Sequence, residues 1–276
     1  MEIYKSPKDR TFPIPEVERV IPEVFMKTFT IIMPAYNEIK RIPPVLNDVC
    51  SFIYENDLPW EVIVSIDGND GTDDLVNEMT VRFHFLHYIK GNGRNGKGSA
   101  IKNALNLAKG EYVILMDADG AIGFKEIVSY LSLVNSYDLV NFDRYRGKWN
   151  NIPKIRRFVS RGYNLYIRLL FNLDINDTQC GYKIMRTEHA RDSFRRLTIT
   201  NGFFYVPLFV HLKKIGVHTV EVNVKYQHSD GSKFSVASMI LGGFVSAIAF
   251  RIRESPLWKF VPKRLVVLYY KKFRWI

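Results

Sequence analysis

The chain has 276 residues, is 47% hydrophobic and 14% aromatic, and carries a net charge of +11. This length and composition suit one large domain with appendages and exclude a chain too polar to build a core. Two cysteines, Cys50 and Cys180, are too few and too far apart for a disulfide framework or a zinc site, so a reducing, cytosolic setting is expected.

In chain order, residues 1–24 are charged and interrupted by Pro7, Pro13, Pro15 and Pro22, which predicts an extended arm with no core of its own and no secretory signal. Phe29 to Met33 is a first buried strand, ended by Pro34-Ala-Tyr-Asn-Glu38. Ile42 to Tyr54 carries apolar residues at helical spacing. Glu61 to Ile66 is a second strand that stops at Asp67-Gly-Asn-Asp-Gly-Thr72, with a short helix beyond it. A third strand, Arg82 to Ile89, leads into the glycine-rich loop Gly91 to Gly98, and Ser99 to Lys109 forms a helix. The fourth strand runs through Val113 to Met116 straight into Asp117-Ala-Asp119-Gly120. A helix near 124–135 and a strand at Tyr137 to Phe142 follow. Strand–helix alternation of this kind predicts an α/β fold with a mostly parallel sheet. Beyond it come a helix ending near Phe171, a polar loop from Asp174 to Lys183, helices near 187–196 and 203–215, and a strand at Val217 to Tyr226.

The charge is concentrated at the far end, where residues 251–276 hold eight Lys/Arg against one Glu. Just before them lies an uncharged stretch of 17 residues, Phe234 to Phe250, at the short limit for a membrane span and diluted by Ser and Gly. Trp258, Tyr269, Tyr270 and Trp275 then alternate with Lys and Arg, the composition of a membrane interface. Residues 231–276 are therefore expected to lie on a bilayer. An ordinary core helix with a solvated basic tail is the competing reading.

Ligands of parallel sheets bind at the carboxyl ends of the strands, where Asp117 and Asp119 fall. Carboxylates one residue apart can share one hard cation, which in turn can hold phosphate oxygens; equally, Asp and Gly favour turns. Gly91 to Gly96 fits a dinucleotide fingerprint but follows the third strand, not the first. Gly91 to Gly98 nearly fits a phosphate-binding P-loop with Lys97 in place, except that Gly98 stands where Ser or Thr must hold magnesium.

The order of strand-end features resembles the family 2 glycosyltransferases of the GT-A fold, a Rossmann-like nucleotide-diphospho-sugar transferase architecture. The resemblance is carried by Pro34-Ala-Tyr-Asn-Glu38, Met116-Asp-Ala-Asp-Gly-Ala121, Asp177-Thr-Gln-Cys-Gly-Tyr-Lys183 and Gly231-Ser-Lys233. The third stretch is similar to the polyprenyl-phosphate subgroup, the dolichyl-phosphate glucose and mannose synthases. The resemblance implies a GT-A domain over 25–230 and Mg2+ or Mn2+ on Asp117 and Asp119. It assigns Pro34, Tyr36, Glu38 and Asp67 to the nucleoside. Arg94 and Lys97 would assist the diphosphate, and Asp177 and Gln179 the sugar or acceptor side. Arg144, Arg156, Ser160 and Lys233 match acceptor-phosphate positions. A lipid phosphate is already anionic, so it needs positioning cations more than a base.

The expected activity is an inverting, metal-dependent transfer of glucose from UDP-glucose to a polyprenyl (dolichyl) phosphate at the cytoplasmic face of a membrane. No nucleic-acid partner is expected, and the oligomeric state is left open. GDP-mannose as donor is the nearest alternative; a P-loop kinase or ATPase and a non-enzymatic basic membrane- or RNA-binding protein are the others. Two departures from the family pattern stand out: a single Asp67 where two adjacent Asp residues are usual, and Tyr205-Val-Pro207 where relatives carry an Asp-x-Glu pair.

Overall fold

A computed structural model describes residues 22–93, 95–144, 149–150, 154–197, 203–227, 236–262 and 264. Expectations that rest on residues 1–21, on Arg94, on Lys233 and on most of the tail beyond residue 262 lie outside it, as does the side chain of Arg156.

A seven-stranded sheet forms the centre. Its strands are β1 (Phe29–Tyr36), β2 (Glu61–Asp67), β3 (Leu86–Lys90), β4 (Tyr112–Leu115), β5 (Leu139–Asp143), β7 (Lys183–Arg186) and β8 (Thr219–Asn223), in the spatial order β3-β2-β1-β4-β7-β5-β8. Only β7 runs antiparallel to its neighbours, β4 and β5. Two short strands, β6 (Trp149–Asn150) and β9 (Tyr226–Gln227), pair separately.

Successive residues of a strand face opposite sides, and both sides of this sheet are covered. From β1, Phe29, Ile31 and Met33 join one core with α1 (Ile42–Glu55), α2 (Thr72–Arg82) and α4 (Phe124–Val128). Ile32, Ile63, Val113 and Leu115 point the other way. They pack against α3 (Lys97–Leu107), α5 (Lys154–Phe171), α6 (Thr187–Arg196), α7 (Tyr205–Lys214) and α8 (Val236–Arg253). Burial on both faces explains the continuous apolar runs in the sequence. Each such Ile, Leu or Val contributes about 1.5–3 kcal/mol relative to exposure.

Several boundaries differ from the sequence reading. The expected strand from Arg82 begins only at Leu86, because residues up to Arg82 complete α2. The helix expected near 124–135 divides into α4 and a 3-10 turn at Leu131–Asn135. The loop expected at Asp174 to Lys183 runs into an unforeseen strand, β7. The C-terminal strand is confined to β8, with β9 separate. Before β1, a 3-10 turn at Glu23–Met26 places Val24 in the core, and the Trp60 indole fixes it by donating to the carbonyls of Phe25 (3.2 Å) and Lys27 (3.0 Å). The apolar stretch after residue 234 is helical as α8, and no described helix is long and apolar enough to cross a membrane.

The foot of the sheet is closed by Gly110. Its N–H donates to the Thr30 hydroxyl at 2.9 Å, and a Cβ there would lie 2.5 Å from the Thr30 nitrogen and 2.6 Å from the Phe29 carbonyl carbon. Those are backbone atoms of a central strand and cannot yield. Gly110→Ala is expected to cost about 3 kcal/mol, read as a lower urea midpoint at unchanged m-value.

Candidate active site

The parallel register brings the carboxyl ends of β1, β2 and β4 to one edge. Tyr36 pairs with Asp67, and Pro34 with Ser65. β4 ends two residues before Asp117, which lies half-buried with Asp119 in a turn closed by Gly120 at φ 66°. The Ala121 N–H donates to Asp119 Oδ1 at 3.1 Å, a side-chain turn that fixes this carboxylate.

On the β2 side, Asp67 is buried and its carboxylate accepts the Asn95 N–H at 2.9 Å. Gly91 lies against the same carboxylate, where any side chain would collide. The glycine-rich loop is thus a wall that closes over Asp67. Glu38 is held by Arg41, whose Nε and Nη2 donate to it at 2.6 and 2.5 Å. The same guanidinium reaches Asp119 at 4.0 Å, so Arg41 ties the expected nucleoside end to the carboxylate pair.

At the first turn of α3, Lys97 forms an ion pair with Asp117. Burial alone would lower its ammonium, but the Asp117 carboxylate and Tyr205 outweigh burial and hold it above its ordinary value. The Tyr182 hydroxyl donates to the Asp117 carbonyl at 3.4 Å.

The expected acceptor side is built on β5, α5 and the loop before β7. Arg144 grips the wholly buried Asp177 through two parallel bonds, Nε to Oδ2 at 2.6 Å and Nη2 to Oδ1 at 3.0 Å, and lies over the Tyr226 ring at 5.3 Å. The carboxylate of Glu221 receives the N–H groups of Asn176 (2.7 Å) and Asp177 (3.1 Å) and the Asn141 amide (2.9 Å). Asn164 on α5 accepts from the Thr178 N–H (2.9 Å) and hydroxyl (2.7 Å). Asp177 therefore acts in this structure by orienting Arg144, since Arg144 and the Gln179 N–H (3.1 Å) occupy its oxygens. Gln179 and Ser160 are half-buried; Ser160 lies one turn from Asn164, whose amide donates to its carbonyl at 3.1 Å.

Arg41, Glu221, Tyr182, Lys183 and Tyr205 were not singled out as site residues from the sequence. Lys183 is fully buried; its ammonium donates to the Cys180 carbonyl at 2.5 Å and lies 4.0 Å from the centre of the Tyr205 ring. Burial pushes it down to about 8, with Lys97 and Arg144 adding to the fall and Cys180 and Asp177 opposing it.

The residues fit a small divalent cation. Among the described residues no group of three or more His, Cys, Asp or Glu could hold a metal by itself. A pair of carboxylates is what an ion such as Mg2+ takes when substrate phosphates and water complete its shell. Lys97 and Arg41 are two cations against the three carboxylates Glu38, Asp117 and Asp119, so a net negative charge remains to attract a metal ion.

The sequence pattern of "Glycosyl transferase family 2" matches residues 30–194. Similar proteins include the dolichyl-phosphate beta-glucosyltransferase of Dictyostelium discoideum, 27% identical over 248 residues that cover 83% of this chain and 76% of that protein. One from Trichomonas vaginalis is 29% identical over 256 residues, 87% of this chain and 74% of its own. Among solved structures, glucosyl-3-phosphoglycerate synthase of Mycobacterium tuberculosis superposes with a TM-score of 0.59 at 17% identity, over 82% of this chain and 80% of its own. A structure of that enzyme with Mn2+ and UDP-glucose gives 0.58 at 18% identity, over 80% and 79%. At these identities the structural likeness is one of fold.

The depressed Lys183 ammonium has a signature in stability. Between about pH 8 and its ordinary value of 10.5, the unfolded chain binds more protons than the folded one, so this group makes stability rise with pH. Below pH 8 its burial penalty is fully present. Relative to Lys183→Met, the wild type should gain on the order of 3 kcal/mol across that window. Urea denaturation of both proteins at several pH values measures it, and a pH-independent difference would contradict the assignment.

Proposed function

The chain is a glycosyltransferase belonging to glycosyl transferase family 2, and on that premise we propose that it moves glucose from UDP-glucose onto a polyprenyl (dolichyl) phosphate with inversion. The observation that carries the reading is the meeting of Asp117, Asp119, Lys97 and Arg41 at the ends of β1 and β4. Relatives named for dolichyl-phosphate beta-glucosyl transfer support the choice of sugar and acceptor.

Pro34, Tyr36, Glu38 and Asp67 would line the nucleoside, and the Asp67 carboxylate would accept the uracil imide N–H. The diphosphate would lie over Asp117 and Asp119. A bound Mg2+ or Mn2+ there supplies charge that stabilises the leaving diphosphate. Lys97 adds a fixed cation aimed at the same charge as it develops, and Arg94 is proposed for the same role. An oxygen of the lipid phosphate attacks the anomeric carbon, the bond to the diphosphate breaks, and its electron pair leaves with UDP. One displacement turns an α-linked donor into a β-linked product. The attacking oxygen already bears charge, so no side chain needs to remove a proton. Arg144, locked by Asp177, would fix the acceptor phosphate together with Arg156, Ser160 and Lys233, while Gln179 serves the sugar hydroxyls.

The lipid acceptor requires a membrane surface, and we assign residues 231–276 to that contact at the cytoplasmic face. α8 is uncharged until Arg251. Beside it, α5 carries no acidic residue and exposes Phe158, Leu165 and Leu169, while Phe260 is 81% exposed. Arg251, Arg253 and Lys259 supply the charge that anionic lipid head groups attract.

The test is a transfer assay with a short polyprenyl phosphate and Mg2+ or Mn2+, supplied in parallel with UDP-glucose, GDP-mannose or UDP-N-acetylglucosamine. Lipid-linked sugar should form from UDP-glucose and fall at least about 100-fold in Asp119→Ala. Product from GDP-mannose alone would reassign the donor. Removing residues 251–276 should abolish co-sedimentation with anionic vesicles and leave UDP-glucose binding intact by calorimetry. Undiminished vesicle binding would overturn the membrane assignment.

A further inference from the structure

Two side chains to which the transfer reaction above gives no role lie directly behind Asp117. Lys183 opens β7, and its ammonium donates to the carbonyl of Cys180. Tyr205 opens α7, and its hydroxyl donates to the carbonyl of Gly181 at 3.3 Å. Two consecutive carbonyls are thus pinned from two different elements. The ammonium rests on the Tyr205 ring at 4.0 Å and lies 5.0 Å from the Phe209 ring, so the two pins brace each other. Gly181, the residue so fixed, is where the chain touches Asp117: a side chain here would collide with both oxygens and the carbon of its carboxylate. Across the carboxylate stands Lys97, whose ammonium is 5.4 Å from the same Tyr205 ring.

Burying an ammonium without a carboxylate beside it is costly. Among the described residues, the hydrogen bond of Lys183 goes to a backbone carbonyl, and its remaining contacts are aromatic faces. By contrast Arg186, three residues on, pairs with Asp138 and Glu111. A cost of this kind is sustained where the bond secures something that a neutral residue would hold less firmly. Burial also keeps the Tyr205 phenol protonated, and hence a donor to Gly181.

We propose that Lys183 and Tyr205 are positioning residues for Asp117. By fixing the backbone at Cys180 and Gly181 they set the wall against which its carboxylate rests, and so its alignment with Asp119 for a divalent cation. The inference rests on the reading of Asp117 and Asp119 as the carboxylates that meet the cation. It also accounts for the unusual Tyr205, whose ring carries the Lys183 charge and whose hydroxyl takes a backbone acceptor.

The experiment measures Mn2+ binding by the full chain in the presence of UDP, from the electron paramagnetic resonance signal of free Mn2+, alongside transfer kinetics. Tyr205→Phe keeps the ring and loses the hydroxyl. Lys183→Met keeps the length, loses the donor and leaves no unpaired charge. Each should weaken Mn2+ binding about 10-fold, the scale on which groups behind metal ligands act, with kcat recovered at saturating Mn2+. Phe209→Leu alters the packing around Lys183 without touching either carbonyl, and should bind Mn2+ as the wild type does. Unchanged affinity in both test variants would overturn the proposal, as would an equal loss in Phe209→Leu. Asp117→Asn separates the premise from the inference. Wild-type Mn2+ affinity in that variant sinks the ligand reading and the proposal with it; lost affinity there, with Lys183→Met and Tyr205→Phe intact, sinks the positioning alone.

Discussion

A strand buried on both faces has no room for charge along its length, and this constraint places the chemistry. Tyr112 to Leu115 are all 1% exposed or less, so the first carboxylates β4 can carry lie beyond its end. β2 carries its carboxylates at its two ends, Glu61 as its first residue and Asp67 as its last. Parallel pairing then aligns the carboxyl ends of β2 and β4 with the end of β1. A slip of one residue between strands would exchange their two faces and bury the wrong side chains. The sheet's core thereby also fixes the spacing between Tyr36, Asp67 and the Asp117–Asp119 turn.

Within that edge, two cations face three carboxylates, so most of the charge is paired before any substrate is considered and a net negative charge remains. Lys97 neutralises Asp117, and Arg41 is shared between Glu38 and Asp119. A cation arriving with a diphosphate changes the partners of these groups more than the total charge, which limits the reorganisation needed at the moment of reaction. Around Arg144 the groups are likewise set in advance: Asp177 fixes the plane of its guanidinium, and Asp177 is itself set by Glu221 through the backbone. Pre-set geometry of this kind is where binding energy is turned into orientation.

The sequence made the first half of the fold readable because its strands are uninterrupted apolar runs ended by turn residues, with Asp117 and Asp119 at a boundary. It concealed β7, since Lys183-Ile-Met-Arg186 sets two cations around two apolar residues and has no pattern of a buried strand. Only pairing with β4 and β5 makes it one. Arg41 stands ahead of a helix and Glu221 within a strand, and neither carries a local signal of its contacts. Both owe their place to contacts across more than one element. Asp177 was singled out from the sequence, but its pairing with Arg144 was not. Its bond to Arg144 spans 33 positions of sequence, and no local pattern reports that.

The antiparallel strand has a consequence for the order in which the molecule can be made. Strands β1 to β4 pair among themselves using residues up to 115, so this half can form while the rest of the chain is still being synthesised. β5 and β8 join the sheet through β7, which adds to the edge of β4. Until it does, β4 is an open edge, Asp117 lacks the wall made by Gly181, and Arg144 lacks Asp177. The β1–β4 half of the sheet can therefore precede the other half during synthesis. Addition of one four-residue strand closes the exposed edge and brings Gly181 against Asp117 in the same event.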